Sequence, residues 1–171
     1  MSAGDHVTKP IRARIGFGEG DVSQVGDELR LAMSHWPSGV AVLAVKTRGR
    51  IEAITVNSFI SVSLEPPLIL VSLAQRAPIL PELRDGARFT ISALSETQAR
   101  VASMIADRVP DLAKLFDDGN EPAVQDALFT LVCTTSQTLV AGDHVLHLGL
   151  VERVALGREA PPLLYYGGKY N

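Results

Sequence analysis

At 171 residues the chain is long enough for one domain with its own core, and 46% hydrophobic against 20% charged residues excludes disorder throughout. A net charge of −3 offers no basic face for nucleic acid or an anionic membrane, and no apolar stretch approaches the roughly 20 residues of a spanning helix. The single cysteine, Cys133, excludes an internal disulfide and fits a reducing cytoplasm; within the apolar run LFTLVC it reads as a small buried hydrophobe.

Residues 1–25 are Gly-rich and charged, without periodicity, and read as a flexible N-terminal arm ahead of one domain over residues 26–171. The opening MSAGDHVTKPIRAR has no apolar segment of the roughly 7–15 residues that a secretory signal needs. Leu29, Ala32 and Met33 predict a helix over 26–34, ended by Pro37 and Gly39. VAVLAV (40–45) reads as a strand and KTRGR as a hairpin turn around Gly49. Strands follow over 51–63, bent or bulged, and 68–73. Pro78 then opens a short helix to Leu83.

FTISAL (89–94) alternates as a strand does, and Ser95 with Gln98 forms a capping box that opens a helix to Ile105. A long connection over 107–125 surrounds Leu112, Leu115 and Phe116; the adjacent Asp117 and Asp118 read there as a solvated loop, not a catalytic pair. Strands over 128–135, 138–141 and 145–156 close the order, with Leu146, Leu148 and Leu150 on one face. Strand and helix do not alternate regularly, which disfavours a doubly wound parallel sheet. The pattern is mainly β with α decoration, an antiparallel barrel.

No glycine-rich dinucleotide or P-loop fingerprint and no nucleophile elbow is present. His144 and His147 are three apart on a predicted strand, so they face opposite ways and make a poor metal pair. His35 reads as a helix-end residue. The cluster Thr55, Asn57, Ser58, Ser61 and Ser63, ahead of Pro66 and Pro67, reads equally as a bulged strand with hydroxyls in turns or as a lining for a flat polar ligand. Few acid–base candidates lie near an apolar cluster, which favours redox chemistry on a bound cofactor.

LRLAMSHWPSGVAVLAV, ITVNSFISVSLEPPLILVSL, FTISALSETQARVASMIA, GDHVLHLGLVERV and PPLLYYGGKY together resemble the flavin reductase-like domain family, with Lys114 and Phe116 at its K-F position. These are FMN-binding split barrels that serve two-component monooxygenases. The resemblance implies an antiparallel Greek-key split β-barrel that uses NADH or NADPH to reduce FMN or FAD for a partner flavin-dependent monooxygenase. It further implies a homodimer, with no nucleic-acid or membrane partner.

Residue by residue, the resemblance puts Ser38, Gly39 and Val40 with Thr55, Val56, Asn57 and Ser58 around the isoalloxazine ring. Ser61 falls near the ribityl or phosphate end. Ser72, Leu73, Ala74 and Arg76 carry the tail, Arg76 as cation for phosphate, and Ala106 and Arg108 close it. His144 faces the nicotinamide, and Tyr170 covers the ring. Ala53, Ala77, Ile105 and Gly167 depart from the family pattern, and proline at 37 is a less common variant; together they leave FMN against FAD open. Two rival readings are a flavin-binding split barrel without reductase activity (a carrier or non-redox pathway protein) and a split barrel that binds haem or serves as an interaction module.

Overall fold

The computed structural model describes residues 22–109, 112–117 and 119–171. Helix α1 (Val22–Ser34) begins four residues before the predicted start. Val22 and Val25 extend the spacing of Leu29 and Met33, and Gly26 inside the helix costs only about 1 kcal/mol relative to alanine. The remainder of the expected arm, residues 1–21, and Asp118 lie outside the described residues.

Seven strands form one sheet: β2 (Ala41–Thr47), β3 (Arg50–Val56), β4 (Phe59–Leu64), β5 (Pro67–Ala74), β6 (Arg88–Ala93), β7 (Phe129–Ala141) and β8 (His144–Leu156). Their order is β3-β2-β6-β7-β8-β5-β4, and every pairing is antiparallel. The two edges, β3 and β4, are consecutive in the chain and separated only by Asn57 and Ser58. A sheet whose outermost strands are joined by two residues has to curl until those edges meet. The result is a barrel left split along the β3/β4 seam. A second sheet joins β1 (Ser38–Gly39), β9 (Leu164–Tyr166) and β10 (Lys169–Tyr170) in the order β1-β9-β10.

The unbroken apolar run of β2 follows from burial on both faces. Ala41, Leu43 and Val45 point into the barrel with Ile69, Val71, Phe89 and Ile91. Val42 and Ala44, with Val40 just before the strand, pack outside it against Leu94, Leu163, Phe116 and helix α2 (Ala99–Ala106), which contributes Ala102 and Ile105. The capping box forms: the Ser95 N–H donates to Gln98 Oε1 at 2.9 Å and opens the turn Glu96–Gln98 ahead of α2. At the β2/β3 hairpin Arg48 and Gly49 have φ of 48° and 76°, both left-handed, as a two-residue primed turn requires.

Three expectations change. The bent strand over 51–63 is two strands, because Asn57 and Ser58 interrupt the ladder. The strands expected over 128–135 and 138–141 are the single strand β7, whose register shifts between Thr135 and Gln137 as a bulge. The short helix expected from Pro78 is one 3-10 turn, Leu80–Glu82.

Cys133 is fully buried; burial first, and the Glu152 charge second, push its thiol up to about 12, so it stays protonated and unreactive. The two histidines of the pair separate as strand geometry demands. His147 is 3% exposed beside Val71 in the barrel, and neither ring nitrogen has a hydrogen-bond partner. Burial lowers its pKa more than the Asp85 charge raises it. The unfolded chain therefore binds a proton that the fold refuses, and the stability present above the ordinary histidine pKa of about 6.5 falls as pH drops through the lower folded value. The unfolding midpoint is expected to decline from pH 7 to 5 in the wild type and to decline less in His147→Leu. Equal slopes in both contradict this assignment.

Candidate functional site

The polar cluster of the seam is largely occupied in holding the barrel's open edge. Thr55 Oγ1 donates to Ala102 O at 2.8 Å, tying β3 to α2. Ser58 Oγ donates to Ser72 O at 2.6 Å and Ser72 N–H donates to Ser58 O at 3.2 Å, tying the seam to β5. Asn57 Nδ2 donates to Ser38 Oγ at 3.2 Å. A hydroxyl has one hydrogen, so Thr55 and Ser58 have none left for a ligand. The donors that remain include the Ser38 hydroxyl, which only accepts from Asn57, the second amide N–H of Asn57 and the main-chain N–H groups along the unpaired edges of β3 and β4.

Beside the seam lies a hollow of about 210 Å³, walled by Val40, Thr55, Val56, Asn57, Ala106, Tyr165 and Tyr170. Six of these seven were expected from sequence; Tyr165 was not. It is central in the small sheet, opposite Ser38 on one side and Tyr170 on the other, so it inherits their position. Its signal was the alternation in LLYY, which turns Tyr165 away from Leu164 and Tyr166. The Tyr165 and Tyr170 rings meet edge to face with centroids 5.6 Å apart. Burial, then the neighbouring Tyr165 and Asp107, raise the Tyr170 phenol, which keeps its proton at neutral pH.

Two further hollows adjoin. A cleft of about 590 Å³ shares Val40 and Asn57 with the first, includes Ser38, Gly39 and Ser58, and is otherwise apolar, with Trp36, Phe59 and Phe129 on its walls. A hollow of about 270 Å³ shares Ala106 and adds Ala53, Ile54, Pro78 and Arg108. The sequence-predicted residues Ser38, Gly39, Val40, Thr55, Val56, Asn57, Ser58, Ala106, Arg108 and Tyr170 therefore lie around one connected region.

The other predicted residues lie outside these walls. Ser61 is exposed on β4. Leu73 is 3% exposed inside the barrel, so its side chain faces no ligand outside it. Ser72 and Ala74 share the outer face of β5, where Ala74 stands opposite His144 of β8. His144 Nδ1 lies 2.7 Å from Asp143 Oδ1, a contact that, with Arg76 nearby, keeps the Asp143 carboxyl below its usual range. An ionised carboxylate only accepts, so Nδ1 carries the hydrogen of this contact and Nε2 is left for another partner. Arg76 and His144 thus both act on the Asp143 carboxyl. Among the described residues no cluster of three metal-ligating side chains occurs.

The family model for the flavin reductase like domain matches residues 33–171. The chain is 37% identical over 140 residues to the reductase component of 4-hydroxyphenylacetate 3-monooxygenase of Thermus thermophilus, covering 82% of this chain and 91% of that protein. It is 33% identical over 159 residues to an NADH-dependent flavin reductase of a Rhodococcus species, covering 90% of each. A flavin reductase solved in its native state superposes with a TM-score of 0.78 at 31% identity, over 85% of this chain and 95% of that one. The Streptomyces globisporus NADH:FAD oxidoreductase solved with NAD and FAD fragments gives 0.79 at 28% identity, over 90% and 95%. The fold is the split barrel of the flavin reductases, and the chain belongs to the flavin reductase like domain family.

A flavin suits this donor set. Its ring is flat, apolar at one end and rich in acceptors along one edge. The region beside the seam offers unpaired main-chain N–H groups, the Asn57 amide, an apolar cleft and the edge of a tyrosine pair.

Proposed function

We propose that this protein is an NAD(P)H-dependent flavin reductase that binds FMN or FAD at the β3/β4 seam and supplies reduced flavin to a partner flavin-dependent monooxygenase. One observation carries the reading: two unpaired sheet edges converge at Asn57 and Ser58, directly beside the hollow closed by Ala106, Tyr165 and Tyr170.

A bound flavin supplies a ring nitrogen that accepts hydride from a dihydronicotinamide. The protein positions. Asn57 and the edge N–H groups fix the polar rim of the ring and stabilise negative charge that builds there. Val40 and the tyrosines exclude water. His144, its Nδ1 held by Asp143, offers Nε2 to the carboxamide of the nicotinamide. No protein acid or base is needed. Correct placement alone supplies several kcal/mol, since a well-oriented pair behaves as if present at about 10⁵ M or more. His144→Ala is expected to lower kcat/KM for NADH about tenfold, a loss of roughly 1.4 kcal/mol, with flavin affinity retained. Unchanged kcat and KM discard that role.

We further propose that the protein is cytoplasmic and works as a homodimer. Apolar side chains on α1 (Val22, Val25, Leu29, Met33) and at both ends of the β7/β8 ladder (Leu139, Val140, Val154, Leu156) stand half-exposed or more, apolar surface that suits burial against a second copy. A solution mass near twice 18.3 kDa supports this, and a monomer at micromolar concentration opposes it.

The test of function is steady-state oxidation of NADH and NADPH with riboflavin, FMN and FAD added in turn. Flavin-dependent turnover is expected. Stoichiometric flavin binding without turnover would instead identify a flavin carrier, and absence of flavin binding would overturn both readings.

A further inference from the structure

Gln75 stands one residue beyond β5, where that strand runs out beside the β7/β8 turn. Its main-chain N–H donates to Asp143 O at 2.9 Å, and its side-chain Nε2 donates to Gly142 O at 2.9 Å. These two carbonyls are consecutive and belong to the two residues of the turn, which lies between the paired Ala141 and His144. Gly142 has φ of 63°, the left-handed value that the first position of a tight primed turn takes and that glycine adopts at no steric cost. The β5/β8 ladder ends one step earlier, with Ala74 opposite His144. Both Gln75 bonds lie beyond it and hold the turn itself.

We propose that Gln75 is a positioning residue for hydride transfer: by gripping both turn carbonyls it fixes where the His144 ring stands relative to the seam. The inference rests on His144 facing the nicotinamide. His144 follows the turn directly, and its ring meets the Asp143 carboxylate at 2.7 Å. The Asp143 side chain is 94% exposed, and a contact so open to water is a weak tether. A shift of the turn carries carboxylate and ring together. Holding the ring therefore falls to the backbone of the turn, which Gln75 anchors to β5.

The other end of the same short segment is anchored at the seam. Ser58 Oγ donates to Ser72 O at 2.6 Å, and Ser72 N–H donates to Ser58 O at 3.2 Å. From Ser72 to Gln75 is three steps of nearly extended chain, roughly 10 Å. One piece of β5 thus keeps the residues at the flavin ring in register with the residue at the hydride donor. Reacting atoms have to approach to about 3–3.5 Å, and a misplacement of about 1 Å can cost a hundredfold in rate. Two exposed hydrogen bonds that add little to stability can therefore matter far more to turnover.

The test is a double-mutant cycle on steady-state NADH oxidation with saturating flavin, using the wild type, Gln75→Leu, His144→Ala and the double variant. Gln75→Leu is expected to lower kcat/KM for NADH about fivefold while changing the Kd for flavin less than about twofold. In the His144→Ala background the same change should cost less than about twofold, because the ring it positions is gone. A merely structural lesion would cost the same in both backgrounds, and that result overturns the inference. Gln75→Glu gives a second readout. An ionised carboxylate cannot donate to Gly142 O, whereas a protonated one can. The charged and titratable neighbours in the chain and the turn, Arg76, Asp143 and His144, are the same in the wild type, so the ratio of variant to wild-type activity isolates position 75. That ratio should rise as pH falls from about 8 to about 5, and a flat ratio overturns the inference. If His144→Ala lowers kcat/KM and Gln75→Leu does not, this inference fails and the nicotinamide reading stands. If His144→Ala leaves kcat/KM unchanged, both fail together.

Discussion

Phe89→Ala is expected to cost about 3–5 kcal/mol and to lower the unfolding midpoint by roughly 10 °C. Phe89 is 1% exposed and packs with Ile69, Val71 and Ile91 in the barrel interior. Its ring also explains a glycine in the middle of β8. A Cβ on Gly149 would lie 2.6 Å from Phe89 Cζ and 3.2 Å from Ile69 Cδ1. Gly149→Ala alone therefore overpacks the barrel and should destabilise by about 1–3 kcal/mol. In the Phe89→Ala background the same methyl enters the space the ring has left and should cost little or recover stability. Thermal or urea unfolding of the two single variants and the double variant measures this coupling. Strict additivity would show that the ring and the glycine do not share one space.

Asn57→Ala should raise the Kd for flavin about tenfold, or roughly 1.4 kcal/mol, without moving the unfolding midpoint. The side chain is exposed, and its hydrogen bond to Ser38 is an exposed one, so folding loses little. Binding loses a side-chain donor, the second amide N–H of Asn57, that the seam does not itself consume. Thr55→Val tests the contrast. Its hydroxyl serves Ala102 O, so this change should loosen α2 and lower stability more than it alters the polar contacts to flavin. Flavin titration with melting curves separates the two. An unaltered Kd in Asn57→Ala would remove that residue from the site.

The elements were legible wherever the local code was strong. The capping box at Ser95 and Gln98, the turn at Arg48 and Gly49, and the opposite facing of His144 and His147 all depend on neighbours in sequence. Strand order did not show, because it depends on pairings far apart in the chain. Nothing in residues 50–64 announces that consecutive strands become the two outer edges of one sheet. For the same reason the hydroxyls of Thr55 and Ser58 read as ligand donors, although their partners, Ala102 O and Ser72 O, lie 47 and 14 residues away. The resemblance located most of the region around the seam. It did not name Tyr165, which lines the hollow through β9, and the side chain of Leu73, which it named, turns into the barrel by alternation.

The central claim is that the split between β3 and β4 holds the flavin ring. A crystal structure of the protein grown with FAD tests it most directly. The ring is expected against Asn57 and the free edges of β3 and β4, within contact of Tyr170 and Ala106. A ring found inside the barrel, or on a surface remote from Asn57 and Ser58, would contradict the account.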